Sequence, residues 1–161
     1  QQFGLVLQYP VRDNLILCSY YAEPYSRHGV FDFQAINAEA SRLLEEYDIR
    51  APGIHTTTDT LSGGNQQKTV VARELAREIK LLIAAQPTRG LDVGSIEYIH
   101  RRIVEARDNR QAVLLVSTEL DEIMSLADTI AVMYKGEIVK TFRSGEATKE
   151  RIGLLMAGSD K

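Results

Sequence analysis

The sequence of 161 residues has little cysteine, little excess charge and no long apolar run, and each absence excludes a class of protein. Cys18 is the only cysteine, which excludes an internal disulfide and suits a protein of the cytoplasm. No apolar run reaches the roughly 18 residues needed to cross a bilayer, and no signal peptide is recognisable. The formal net charge of -3 predicts no general attraction to nucleic acid or acidic lipid.

The first half of the chain carries apolar residues at helical spacing. Long helices are predicted over 33–49 and 65–80, Pro10 is placed to open a short helix, and the polar, aromatic stretch 22–31 is predicted to be a loop. The two helix predictions rest on apolar residues at helical spacing. These are Ile36, Ala40, Leu43, Leu44 and Tyr47 in the first helix, and Val70, Val71, Leu75 and Ile79 in the second.

The second half of the chain alternates between apolar strands and amphipathic helices. Strands are predicted over 81–85, 112–117, 129–134 and 137–142, and helices over 93–108, 119–127 and 148–156. A lysine–glycine turn at 135–136 separates the last two strands. The alternation predicts the α/β class, with a mostly parallel sheet, crossover helices and a terminal β-hairpin.

The segment LSGGNQQK, residues 61–68, stands just before the second long helix. Adjacent glycines let a ligand approach the backbone closely, and the first amides of a helix favour a bound anion such as phosphate. Ser62 could add a hydroxyl donor. The same residues also suit a plain helix cap, so both interpretations stand at this point.

The order of motifs after this segment resembles the ATP-binding cassette family. Residues 61–68 resemble its signature motif, 81–86 its Walker B strand, Gly90, Leu91 and Asp92 its D-loop, and 114–120 its switch region. The GNQQK ending of the signature and the later segment PTRGLDVG are most similar to the ATP-binding subunits of simple-sugar and nucleoside importers. In those subunits, two cassettes lie in one polypeptide. The neutral Walker B strand indicates the second, C-terminal cassette.

This resemblance implies a partial P-loop NTPase fold. A helical signature subdomain is expected over 1–80, and the C-terminal part of the RecA-like ATPase core over 81–161. The full-length protein is expected to use ATP and Mg, to pair with a second cassette, and to bind membrane permease subunits at the cytoplasmic face of the membrane. No nucleic acid partner is expected. The aromatic stretch 20–33 is a candidate for the permease contact, or else a packed loop.

The positions that the resemblance assigns to catalysis carry neutral residues. Ala85 replaces the magnesium-binding aspartate, and Gln86 replaces the glutamate whose general-base role is typically worth roughly 10²–10⁴ in rate. Thr118 replaces the switch histidine, and the sequence TELD predicts that Thr118 starts a helix instead. No histidine stands where the motif needs one, so no catalytic residue and no metal site are expected in this chain.

The phosphate loop of the family is missing as well. No glycine–lysine pair occurs in the chain, so the pattern G-x-x-x-x-G-K-[ST] has no match, and we expect the chain to begin after that loop. Gln1, Gln2 and Gln8 lie where remnants of the family's Q-loop would fall, but none of them is assigned to it.

One hypothesis accounts for an intact signature beside a neutral Walker B strand. Family cassettes work in head-to-tail pairs, so this signature would contact ATP held by the partner cassette, and Asp92 would communicate across the interface. The residues expected to contact that ATP are Ser62, Gly63, Gly64, Asn65 and Gln67. Two alternatives remain: a soluble, non-transport cassette ATPase, which the negative charge and GNQQK disfavour, and a non-enzymatic interaction module whose motifs are only caps.

The missing phosphate loop generates a prediction for the 161-residue chain itself. We expect weak or no binding of ATP–magnesium, because the signature supplies only one wall of a nucleotide site. Calorimetric titration of ATP–magnesium into the chain measures this affinity, and a micromolar dissociation constant would contradict the expectation.

Overall fold

A computed structural model describes residues 4–159, which form two compact units. The first unit comprises the described residues up to Lys80 together with Thr88–Arg101, and the second comprises Leu81–Pro87 together with the described residues from Arg102 onward. Gln1 and Gln2 lie outside the described residues, whereas Gln8 is exposed. Within residues 4–159, no helix combines the length and the hydropathy that a membrane span requires.

Helices dominate the first unit. They are α1 (Val11–Leu15), α2 (Phe33–Glu46) and α3 (Gly63–Leu75), and α4 (Val93–Asp108) begins in this unit. Asp32 caps α2, because its carboxylate accepts hydrogen bonds from Gln34 N and Ala35 N, each at 3.0 Å. The predicted apolar face of α2 is confirmed at Ile36, Ala40 and Leu43, which are buried.

The stretch predicted as a loop contains a small hairpin, so that prediction is wrong over part of its length. β1 (Ser26–Arg27) pairs antiparallel with β2 (Val30–Phe31). The two residues between the strands, His28 and Gly29, both have positive φ angles of 51° and 79°. Two left-handed residues match the twist of paired strands, and a histidine–glycine pair is a weaker sequence signal for this turn than asparagine–glycine.

Helix α3 buries a different face from the predicted one. Val70, Val71 and Leu75 are only half-buried, and the helix ends at Leu75, before Ile79. The buried positions, apart from Gly64, are Lys68, Thr69, Ala72 and Arg73. Burial of such polar groups is tolerated because each has hydrogen-bond partners, and a search for apolar spacing does not detect them.

A buried amide joins the beginning of the first unit to the turn before α3. Asn14 is fully buried, and its Nδ2 donates to Val6 O at 2.9 Å and to Thr58 Oγ1 at 2.8 Å. Asn14 Oδ1 accepts from Val6 N at 2.8 Å, and Thr58 Oγ1 donates to Tyr9 O at 2.8 Å. The 3-10 turn Thr58–Thr60 is therefore held in place just before α3 begins.

The second unit contains four strands in two separate pairs among the residues described. β3 (Leu81–Ala85) runs parallel to β4 (Ala112–Val116), and β5 (Thr129–Tyr134) is antiparallel to β6 (Glu137–Arg143). The strands, the parallel pair and the terminal hairpin are confirmed. Among the described residues, β5 forms its ladder with β6 and does not pair with β4.

The helices of the second unit are α5 (Leu120–Leu126), α6 (Lys149–Met156) and the end of α4. Helix α4 has the predicted bounds. Thr148 caps α6 by accepting from Arg151 N at 3.3 Å. A buried apolar cluster joins the hairpin to α6, and its members are Ile130, Val132, Phe142, Ile152 and Leu155.

The β3–β4 pair leaves one face exposed. Leu81, Ile83, Leu114 and Val116 project on that face and are 51%, 61%, 50% and 48% exposed. Ile83 lies opposite Leu114 in the ladder, so the side chains form one continuous strip, which we call the β3–β4 strip. A strip of this kind promotes association between molecules.

The Asn14 network generates a stability prediction. Thr58→Val keeps the side-chain shape but removes the hydroxyl, leaving Asn14 Nδ2 and Tyr9 O without this partner. We expect a loss of about 1–3 kcal/mol in the free energy of unfolding, measured by urea denaturation. Thr57→Val is the matched control, because the exposed Thr57 makes no side-chain capping bond, and a change within about 0.5 kcal/mol is expected. Equal effects of the two substitutions would contradict the prediction.

Candidate functional site

Ser62 caps α3 and presents its hydroxyl to solvent. The residue is exposed, and its backbone (φ -61°, ψ 155°) is extended, as the cap position requires. Ser62 Oγ accepts from Asn65 N at 3.4 Å and from Asn65 Nδ2 at 3.0 Å. The cap interpretation of Ser62 is therefore correct, and it leaves the hydroxyl able to donate to a ligand at the helix end.

Gly64 allows a close approach between the start of α3 and the segment before α4. A Cβ atom at Gly64 would overlap Ser95 Oγ and would lie 3.3 Å from Asp92 Oδ2. Only glycine fits here without displacing Ser95. The predicted signature and D-loop residues are therefore packed together within the first unit, through Gly64 and Asp92.

The Gly90–Asp92 segment forms a turn that leads into α4. Leu91 N donates to Thr88 O at 3.2 Å, and Gly90 has a φ of 74°. Asp92 Oδ1 accepts from Ser95 N at 3.0 Å, and Oδ2 accepts from Ser95 Oγ at 2.7 Å. The hydrogen bonds from Ser95, above all from its hydroxyl, lower the pKa of Asp92 below its usual range. Asp92 is therefore ionised at neutral pH.

Two further side chains of α3 hold this helix in place, and apolar spacing gave no sign of either. Gln66 Nε2 donates to Thr58 O at 3.0 Å, which ties α3 to the turn before it. Lys68 Nζ donates to Asp48 O at 2.8 Å and to Asp48 Oδ2 at 2.6 Å, and lies 4.6 Å from the centre of the Tyr98 ring. The Lys68 ammonium lowers the pKa of Asp48.

The neutral positions predicted by the Walker B resemblance lie at the carboxyl end of β3, in the second unit. Ala85 ends the strand, and Gln86 N continues the ladder by donating to Val116 O at 2.8 Å. Gln86 has a positive φ of 50°, which is uncommon for a residue with a side chain. Thr118 Oγ1 donates to Gln86 Oε1 at 3.3 Å, so two uncharged side chains meet where parallel sheets usually bind ligands.

The prediction that Thr118 starts α5 is wrong. Glu119 holds the cap position and makes no side-chain capping bond, while Ser117 Oγ accepts from Glu119 N at 3.0 Å. The hydroxyl of Thr118 is directed to Gln86 instead, which a local sequence pattern does not detect. Within residues 4–159, no group of three or more His, Cys, Asp or Glu side chains is arranged to hold a metal ion.

The chain is similar to curated ATP-binding proteins of nucleoside import. It is 51% identical over 156 residues to the guanosine import ATP-binding protein NupO of Bacillus subtilis, covering 97% of this chain and 31% of that protein. It is 48% identical over 157 residues to the nucleoside import ATP-binding protein NupA of Lactococcus lactis, covering 98% of this chain and 31% of that protein. The chain thus spans about a third of the length of these relatives. No protein-family model matches the sequence.

The fold is similar to that of solved ATP-binding cassettes. A dimeric cassette solved in a post-hydrolysis state with ADP and Pi superposes with a TM-score of 0.73 at 22% identity. The match covers 89% of this chain and 60% of that one. This likeness confirms the partial ABC-type P-loop NTPase fold that the sequence predicts.

The contact at Gly64 generates a second stability prediction. Gly64→Ala should cost about 1–3 kcal/mol in unfolding free energy, because the new methyl group overlaps Ser95 Oγ. Adding Ser95→Ala removes that oxygen, so the double variant should lose less than the sum of the two single losses. Gly53→Ala is the control, since a methyl group added at Gly53 would meet no atom within 4 Å and the φ of Gly53 is not positive. Additive losses at 64 and 95 would show that the contact is not the cause.

Proposed function

Because the chain belongs to the ATP-binding cassette family, we propose that it is part of the ATP-binding subunit of an importer. Nucleosides are the proposed cargo, in preference to sugars, since the two relatives described above are named for guanosine and nucleoside import. In the complete protein a second cassette lies in the same polypeptide. That protein binds permease subunits at the cytoplasmic face of the membrane.

The start of α3 is proposed to contact ATP held by the partner cassette. The observation that carries this proposal is the exposed Ser62 hydroxyl, beside the first amides of a helix of 13 residues. Hydroxyl and backbone N–H donors complement phosphate oxygens, and the helix dipole favours negative charge at this end. The proposed contact residues are Ser62, Gly63, Gly64, Asn65 and Gln67.

The residues at the end of β3 are proposed to form an inactive site. Mg²⁺ prefers carboxylate and other oxygen ligands, but Ala85 offers none, and the amide oxygen of Gln86 accepts a hydrogen bond from Thr118. These residues do not fit magnesium, so no magnesium-dependent step is assigned to them. Gln86 also cannot take a proton from water, and hydrolysis is therefore proposed only at the site completed by Ser62.

Asp92 is proposed to relay changes at the interface between the two cassettes. Its carboxylate is bonded to Ser95, and Gly64 packs against the same pair. A displacement of the Gly90–Asp92 turn by the partner would therefore press on the start of α3. Packing this close transmits strain rather than absorbing it.

An exposed aromatic ridge in the first unit is proposed as the permease contact. Tyr20 makes edge-to-face contacts with Tyr21 and Phe31, with ring centres 5.6 Å and 6.2 Å apart, and Phe31 makes a similar contact with Phe33 at 6.0 Å. These four rings remain 44–72% exposed. Aromatic side chains are enriched at the buried centre of protein interfaces. A cluster of exposed aromatic side chains is therefore suited to burial against a partner.

The proposed division of labour is tested in the complete subunit, reconstituted with its permease. Ser62→Ala should lower transport-linked ATP hydrolysis by on the order of 10²-fold, because it removes a donor to the transferring phosphate. The paired change Ala85→Asp with Gln86→Glu should alter the rate little on its own. Ser144→Ala, an exposed serine on the other unit, is the matched control. Hydrolysis by Ser62→Ala at the rate of this control would refute the proposal.

A further inference from the structure

Both ends of the Asn65 side-chain amide form hydrogen bonds within the first unit. Asn65 Oδ1 accepts from Arg50 N at 2.9 Å, and Asn65 Nδ2 donates to Ser62 Oγ at 3.0 Å. A backbone N–H can only donate, so the carbonyl oxygen of the amide must face Arg50. The NH₂ group must then face Ser62, and the orientation of the amide is fixed by chemistry.

This orientation determines what the Ser62 hydroxyl can do. A hydroxyl has two acceptor positions and one hydrogen, and Ser62 Oγ already accepts from Asn65 N and from Asn65 Nδ2. The two N–H groups of Asn65 occupy both acceptor positions of Ser62 Oγ. The hydroxyl hydrogen must therefore point away from Asn65 and α3. Among residues 4–159, Ser62 Oγ donates to no acceptor, so its hydrogen is directed to solvent.

The loop that anchors Asn65 is itself braced. Lys68, one turn further along α3, donates to both Asp48 O and Asp48 Oδ2. The side chain of Lys68 is 10% exposed, and Asp48 has a positive φ of 46°. The backbone around Arg50 is therefore held against α3 at two points, which keeps the Arg50 N–H aimed at Asn65.

We propose that Asn65 is a positioning residue, which turns the Ser62 hydroxyl into a dedicated hydrogen-bond donor for a phosphate oxygen. This inference rests on the proposed function of Ser62, and it replaces the direct ATP contact proposed for Asn65 with an indirect role. Asn65 acts through Ser62, because both ends of its amide are already bonded inside the unit. Its contribution should therefore vanish when the Ser62 hydroxyl is absent.

A double-mutant cycle in the complete subunit with its permease tests this dependence. Asn65→Ala should lower ATP hydrolysis about tenfold when Ser62 is present, the size expected for a hydrogen bond to a charged group. In the Ser62→Ala background the same change should alter the rate less than about twofold. Equal losses in both backgrounds would overturn the positioning role of Asn65 and leave the proposed function of Ser62 intact. Wild-type hydrolysis by Ser62→Ala would overturn both.

A second variant separates positioning from folding. Asn65→Asp keeps the size of the side chain and an acceptor for Arg50 N, but its carboxylate accepts the Ser62 hydrogen instead of donating to the oxygen. Hydrolysis should fall by at least as much as in Asn65→Ala, whereas hydrogen exchange at the Arg50 amide should stay slow. Asn109→Asp, the same chemical change at an exposed site, should leave both unchanged. Fast exchange at Arg50, or undiminished hydrolysis, in Asn65→Asp would overturn the inference.

Discussion

The buried amide of Asn14 is the contact on which the arrangement of the first unit depends. It bonds to both backbone groups of Val6 and to the hydroxyl of Thr58, and the side chains of Asn14 and Thr58 are both fully buried. An unsatisfied amide there would cost a large part of a small protein's stability. Because Thr58 begins the turn that leads to Ser62, the position of the exposed hydroxyl is set by a hydrogen bond made well inside the unit.

The candidate residues around α3 and those at the end of β3 differ in where their polar side chains are directed. Around α3, polar side chains are paired so that one hydroxyl is left to donate outward. At the end of β3, Gln86 and Thr118 are bonded to each other, and neither changes its charge over the physiological pH range. One region therefore offers a donor to an anion, while the other has no group suited to moving a proton.

Local sequence signals predicted much of the fold and the residue types of the site. Helix α4 and strands β3 and β5 have the predicted bounds, because long amphipathic or apolar runs dominate there. The pairing of Lys68 with Asp48 was not predicted, since the two residues are 20 positions apart and no pattern links them. Thr118 was assigned to α5 from a capping pattern, but a bond to Gln86, 32 positions away, competes with that role. Contacts between distant positions decided the two cases that the sequence did not predict, Lys68 with Asp48 and Thr118 with Gln86.

The β3–β4 strip has a consequence for calorimetry of the chain. Hydration of apolar surface on unfolding is the main source of the heat-capacity increase. The four side chains of the strip are already about half exposed in the folded chain, so unfolding adds less newly hydrated apolar surface there than it would for a covered strip. The curve of unfolding free energy against temperature should accordingly be flatter than for a domain of equal length with both faces of its sheet covered.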